Sequence, residues 1–269
     1  MNPETPLATS DPPPETFWFE GAPLTYVDEG PRAAPVVFAL HGIPGSVRDF
    51  RYLAPALSGA LRLVRIDLPG FGGSAPRQDA IDGFDGRTRA VLALADHLRI
   101  ARFAALGHSM GGGTALLLAA QHPDRVNALV LLASVALRSH LSRSPRSFRR
   151  IGRALGWPIV GPLLVPRLRA IYARLRFPGA EAMSAAAFSI QMRAIGAVDF
   201  PRLRAAAALA PPLTLLAFAR DDHMLPAAIS EELASAMPHA RVIAFPDGGH
   251  NIQKTKAGEL AAAIKPLLA

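Results

Sequence analysis

Gly107-His108-Ser109-Met110-Gly111 sets one serine between two glycines, each two residues away. A serine hydroxyl is a poor nucleophile at neutral pH. It needs a base to take its proton and an acid to orient that base. On a serine corner of this kind the acid and then the histidine follow in chain order. His223, His239 and His250 follow both Ser109 and the pair Asp221-Asp222. His223 adjoins that pair and cannot readily turn to face it. His239 stands ahead of the apolar run 241–245, at the wrong end of an expected strand. His250 lies just past the other end, in "FPDGGH", where Gly248 and Gly249 leave the loop free to aim a ring. His250 is the expected base. Asp221 and Asp222 both close the run 212–218, and spacing alone does not choose between them. Asp247 is expected to shape a turn.

Hydrolysis of a carbonyl compound also needs two backbone donors for the developing oxyanion. Met110, directly after the serine, is one candidate. The other is Ile43, in the loop His41-Gly42-Ile43-Pro44-Gly45 that follows the apolar run 36–40. His41, Gly42 and His108 flank these loops and are candidates for the pocket wall. Phe188, Met192 and Ile195 recur at helical spacing and either line an acyl site or serve as simple core.

These residues need a rigid frame. The run 36–40 is continuously apolar, as in a strand buried on both faces, and 61–66, 102–106, 126–133, 212–218 and 241–245 are further strand candidates. Helical patterns separate them at 87–98, 113–122 and 227–237, with a last one near 257–268. Alternating strands and helices imply parallel pairing and a doubly wound α/β sheet, with reactive groups at the strands' carboxyl ends. The corner at Ser109 then lies between strand 102–106 and helix 113–122. The alternation fails from 135 to 205, where the pattern is helical near 145–155, 160–176 and 181–196. The expected organisation is a disordered leader over 1–16, a core over 17–134 and 206–269, and an inserted helical cap over 135–205.

The absence of cysteine from the 269 residues rules out disulfides and thiolate chemistry. There is no G-x-x-x-x-G-K-[ST] loop and no H-E-x-x-H, so neither a cofactor nor a metal is expected. The start has no secretory pattern and no run reaches membrane-span length, so a cytoplasmic location is expected. Charge is uneven. The segment 135–205 holds thirteen arginines, no lysine and two acids, +11 within a chain of +8, which leaves −3 elsewhere. Nucleic acid is not an expected partner. Two arrangements of the cap compete: apolar residues turned to the core with arginines in water, or a weak contact with an anionic membrane surface. Oligomeric state is not legible.

Together "HGIPGS", "RIDLPGFGGS", "GHSMGG", "ARDDHMLP" and "GGH" resemble the α/β-hydrolase fold superfamily, in its serine esterase and monoacylglycerol-lipase-like branch, from about residue 17 to the end apart from the cap. The resemblance implies that Asp222 is the acid and that Asp67 shapes the pocket floor. Where that family carries a glycine ahead of its acid, this chain has Ala219. Haloalkane dehalogenases and epoxide hydrolases carry aspartate at the elbow, so Ser109 points away from them. The implied activity is cleavage of carboxylic esters through an acyl-serine. Alternatives are a carbon–carbon bond hydrolase on the same triad and a non-catalytic ligand-binding protein.

Overall fold

The computed structural model describes residues 11–140, 144–174, 181 and 183–268. Among them, eight strands form one sheet: β1 (Glu15–Phe19), β2 (Ala22–Glu29), β3 (Val36–Leu40), β4 (Arg62–Ile66), β5 (Phe103–His108), β6 (Val126–Leu132), β7 (Thr214–Ala219) and β8 (Arg241–Phe245). Their order is β1-β2-β4-β3-β5-β6-β7-β8. The pairs β1–β2 and β2–β4 are antiparallel and all other neighbours are parallel. The helices outside the β6–β7 connection are α1 (Ala54–Leu57), α2 (Gln78–Ile81), α3 (Asp85–His97), α4 (Met110–Gln121), α9 (Ala227–Ser235), α10 (Ile252–Thr255) and α11 (Ala257–Leu268). Between β6 and β7 lie α5 (Pro145–Leu155), α6 (Val160–Arg174), α7 (Ala185–Gly196) and α8 (Phe200–Ala207).

The period of two along each strand splits the core into two layers. On β3, Phe38 and Leu40 join α3 and α4 on one face, while Val37 and Ala39 join α1 and α11 on the other. All four are buried, which is why the strand reads as an unbroken apolar run. This doubly wound sheet aligns the carboxyl ends of β3, β5, β7 and β8 along one edge. A helical cap stands over that edge with its own small core of Leu155, Val165, Tyr172, Met183, Phe188 and Met192.

Three boundaries differ from the sequence expectation. Within the expected leader, residues 1–10 lie outside the described residues, but Glu15 and Thr16 already pair in β1. Asp11 also reaches the fully buried Arg65 guanidinium at 3.1 Å, with Glu29 at 2.7 Å on the same cation. A buried cation demands such carboxylates, and that demand ties this end of the chain down. The expected cap limit at 205 falls inside α8. Leu203, Ala206 and Ala207 bury themselves in the main core beside α4, so α8 packs with the core layer. Finally, α4 begins at Met110 rather than 113. Gly111, Gly112 and Gly113 form its first turn, where contacts override their low helix propensity.

Candidate active site

Ser109 joins β5 directly to α4 with φ 53° and ψ −119°. This is the left-handed side of the map, costly for a residue with a Cβ and held only where the surroundings dictate it. The surroundings are the two glycines of the motif. A Cβ on Gly111 would collide with the carbonyl oxygens of Leu40 and His41, and one on Gly107 with the backbone of Gly111 and Gly112. Without those side chains, β5 and α4 approach β3 closely enough to close the corner. Ser109 makes no side-chain cap bond to α4, so its hydroxyl is left for other work.

That hydroxyl lies 3.0 Å from His250 Nε2, and His250 Nδ1 lies 2.8 Å from Asp222 Oδ2. Asp222 is buried. Its other oxygen, Oδ1, accepts the backbone N–H groups of Met224 and Leu225, each at 2.8 Å, which fixes the carboxylate's orientation. Asp221 is exposed and does a different job. It accepts the Gly249 N–H at 2.8 Å and ties the β7 loop to the β8 loop that carries His250. That bond holds the Asp221 carboxyl below its usual range. The geometry therefore brings together Ser109, His250 and Asp222, and leaves Asp221 outside.

Neighbouring histidines brace this arrangement. The His108 Nε2 atom stands 2.9 Å from the His250 carbonyl oxygen and donates to it, so its Nδ1 is the unprotonated nitrogen. Burial pushes His108 down to about 3, with the adjacent His250 ring adding to the effect. His41 Nδ1 donates to the Gly42 carbonyl at 2.6 Å, and its Nε2 accepts the Leu68 N–H at 2.9 Å. Burial holds His41 below its ordinary value as well. Asp67 accepts from Val47 N at 2.6 Å and Gly73 N at 2.8 Å, joining the loops after β3 and β4.

Above Ser109 lies a cavity of about 500 Å³. Ile43, Met110 and His250 contribute to its floor, and Phe148, Ile151, Leu168 and Ile171 of the cap to its roof. As the first residue of α4, Met110 has an N–H without an intrahelical partner, beside the positive end of the helix dipole. Met192 and Ile195 line the cavity too. The remaining pocket candidates are elsewhere. Phe188 is wholly buried and meets the Tyr172 ring edge-on at 5.2 Å within the cap. His41, Gly42 and His108 lie beneath the floor, where they hold loops in place. Sequence reasoning missed Gln191, Tyr172, His140 and Arg138, all on the cavity wall. Gln191 follows Phe188 by three residues and precedes Ile195 by four, so helical spacing carried the signal. Its Oε1 is buried and lacks a hydrogen-bond partner among the described residues.

The sequence model of the alpha/beta hydrolase fold matches residues 35–155. Among curated proteins, the chain is 32% identical over 237 residues to "Putative carbamate hydrolase RutD" of Klebsiella pneumoniae, covering 83% of this chain and 87% of that one. It is 28% identical over 256 residues to the dihydrolipoyllysine-residue acetyltransferase component of the acetoin cleaving system of Pseudomonas putida, covering 93% of this chain and 67% of that protein. Among solved structures, the enol-lactonase of Burkholderia xenovorans superposes with a TM-score of 0.75 at 25% identity, over 94% of this chain and 99% of that one. With its serine corner, its sheet order and these relatives, the chain belongs to the alpha/beta hydrolase fold family.

Proposed function

We propose that this member of the hydrolase family cleaves carboxylic esters through an acyl-serine, with Ser109 as nucleophile, His250 as base and Asp222 as orienting acid. The observation that carries the reading is the continuous relay from Ser109 Oγ to His250 at 3.0 Å and on to Asp222 at 2.8 Å, on the floor of an apolar cavity. Ser109 Oγ attacks the ester carbonyl carbon as its proton passes to His250 Nε2. The charge that develops on the carbonyl oxygen falls to the N–H groups of Ile43 and Met110. Collapse breaks the bond to the leaving alkoxide, which takes the proton from His250. Water, deprotonated by the same nitrogen, then attacks the acyl carbon, and the bond to Ser109 Oγ breaks as that oxygen takes the proton back from His250, which frees the acid and restores the serine. Likeness to an enol-lactonase, named for a cyclic ester, supports the bond type.

The test is labelling by a fluorophosphonate, followed by kinetics on p-nitrophenyl esters of increasing acyl length. Ser109-dependent labelling with turnover of esters is expected. Labelling without turnover of any ester would count against ester cleavage but not against the nucleophile. A second reading, a carbamate substrate, is favoured by the RutD relative's name together with the unpartnered Gln191 Oε1, which offers an acceptor for a substrate N–H. Comparison of matched p-nitrophenyl ester and N-alkyl carbamate substrates separates the two.

A further inference from the structure

The cap's arginines and its exposed apolar residues fall on shared faces. Arg146, Arg150 and Arg153 stand exposed on α5 at spacings of four and three, and Trp157 continues the row four residues on. On α6, Leu163, Arg167, Ile171 and Arg174 repeat the spacing and are likewise exposed. Trp157, Ile159 and Leu163 are 65%, 76% and 70% exposed. A cap that merely shelters the site would turn such residues inward. Here Phe148, Ile151, Leu155 and Val165 do that work from the opposite faces of the same helices. Other arginines of this segment have partners: Arg193 pairs with Asp82, Arg204 with Glu232, and Arg149 and Arg169 hold the carbonyls of Gly196 and Met183. Arg146, Arg150, Arg153, Arg167 and Arg174 have no ion-pair partner among the described residues.

We infer that this face of the cap docks on an anionic lipid surface. Guanidinium groups supply attraction to phosphate headgroups, and Trp157, Ile159 and Leu163 supply the apolar contact that sits at the headgroup boundary. Indole, with an apolar body and one N–H, suits that depth. A nucleic acid would use the charges through its phosphates, which take up no apolar surface. Ile171 is at once on this face and in the wall of the cavity above Ser109. The docked face therefore adjoins the cavity above Ser109, which sets an ester dissolved in the membrane beside it. That last step rests on the ester reading, whereas the docking itself does not.

The experiment is co-sedimentation of the full chain with vesicles of phosphatidylcholine containing about one third phosphatidylglycerol, at low salt and again at about 0.5 M salt, where charges are screened within a few ångströms. Binding at low salt that fades at high salt is expected, with little on pure phosphatidylcholine. Replacing Arg150, Arg153 and Arg167 by Gln lowers the partition coefficient about a hundredfold, at ~1 kcal/mol per basic residue near the surface. Trp157→Ser with Leu163→Ser lowers it at least about tenfold through lost apolar burial, while turnover of a water-soluble ester stays unchanged. Three outcomes overturn the proposal: wild type left in the supernatant at low salt, equal binding to neutral vesicles, or duplex DNA competition together with no effect of the Trp157 and Leu163 changes. Sedimentation needs no turnover, so absent esterase activity would sink the ester reading and leave the docking result standing.

Discussion

Asp222→Asn should abolish nearly all turnover while Asp221→Asn leaves most of it, and the hydrogen bonds explain the size of the gap. Oδ1 of Asp222 accepts two backbone N–H groups at 2.8 Å each. In the asparagine variant only the carboxamide oxygen can occupy that place, because an NH2 there would face two donors. The NH2 is thereby forced into the Oδ2 position, toward His250 Nδ1. Nδ1 must then accept, and the ring proton moves to Nε2, which points an N–H at the Ser109 hydroxyl. A base already protonated at that nitrogen cannot take the serine proton. Loss of the right tautomer costs about 10⁴ in kcat in serine triads, or ~5.5 kcal/mol of barrier. Asp221→Asn keeps an oxygen to accept the Gly249 N–H, so its loss should stay below about tenfold. The assay is kcat and KM on a short p-nitrophenyl ester for both variants, with circular dichroism to show the fold intact. Neither aspartate lines the cavity, so KM should move little in either case. If Asp222→Asn keeps more than about a tenth of wild-type kcat, or if Asp221→Asn is the more damaging, the tautomer argument is wrong.

Ser109→Ala and His250→Ala should each remove most of the ester turnover. The double variant should be no worse than either alone, because the pair acts as a unit; additive losses would show that it does not. Gly111→Ala places a methyl against the Leu40 and His41 carbonyls and should destabilise the chain by about 3 kcal/mol or more, read as a lowered urea midpoint. Buried His108 stays neutral in the fold down to about pH 3, whereas the unfolded chain protonates it near 6.5. Below pH 6.5 the unfolded state thus binds the extra proton, and stability falls by up to ~1.4 kcal/mol per pH unit from this residue. His41 and His140 are shifted down by burial and act in the same direction. Urea unfolding at pH 7.5 and pH 5 should show the drop, and equal midpoints would contradict it.

The sheet was legible because parallel strands buried on both faces write unbroken apolar runs. β3 falls on the expected residues 36–40 and is buried from Val37 on, whereas β8 falls on 241–245 but lies at the sheet's edge with none of its residues buried, so its apolar letters do not mark burial on both faces. The start of α4 was displaced because three successive glycines read as a turn. They are helical here because only glycine lets that turn pass against β3, Ser134 and Phe84, and such neighbours are invisible to local propensity. α8 was merged with the cap because its apolar side, Leu203, Ala206 and Ala207, looks the same whichever layer it packs on. Gln191 was overlooked for the opposite reason. A polar residue on a helical face reads as solvent-facing, yet the cavity it meets exists only when α5, α6 and α7 close over Ser109.

The two variable positions of the serine motif show where pattern reading stops. Position and type of Ser109, and the need for glycine at 107 and 111, follow from the corner itself. Met110 follows too, since any residue there presents its N–H at the start of α4. His108 does not. It ends β5, where the strand's alternation turns its ring away from the cavity and toward the β8 loop. Nε2 there holds the His250 carbonyl at 2.9 Å, a contact spanning 142 positions of sequence. The residue before the serine thus steadies the loop that carries His250, and the residue after it opens α4 beside the cavity. The motif joins both ends of the relay to one strand, so a histidine that reads as a pocket residue is a prop for another histidine.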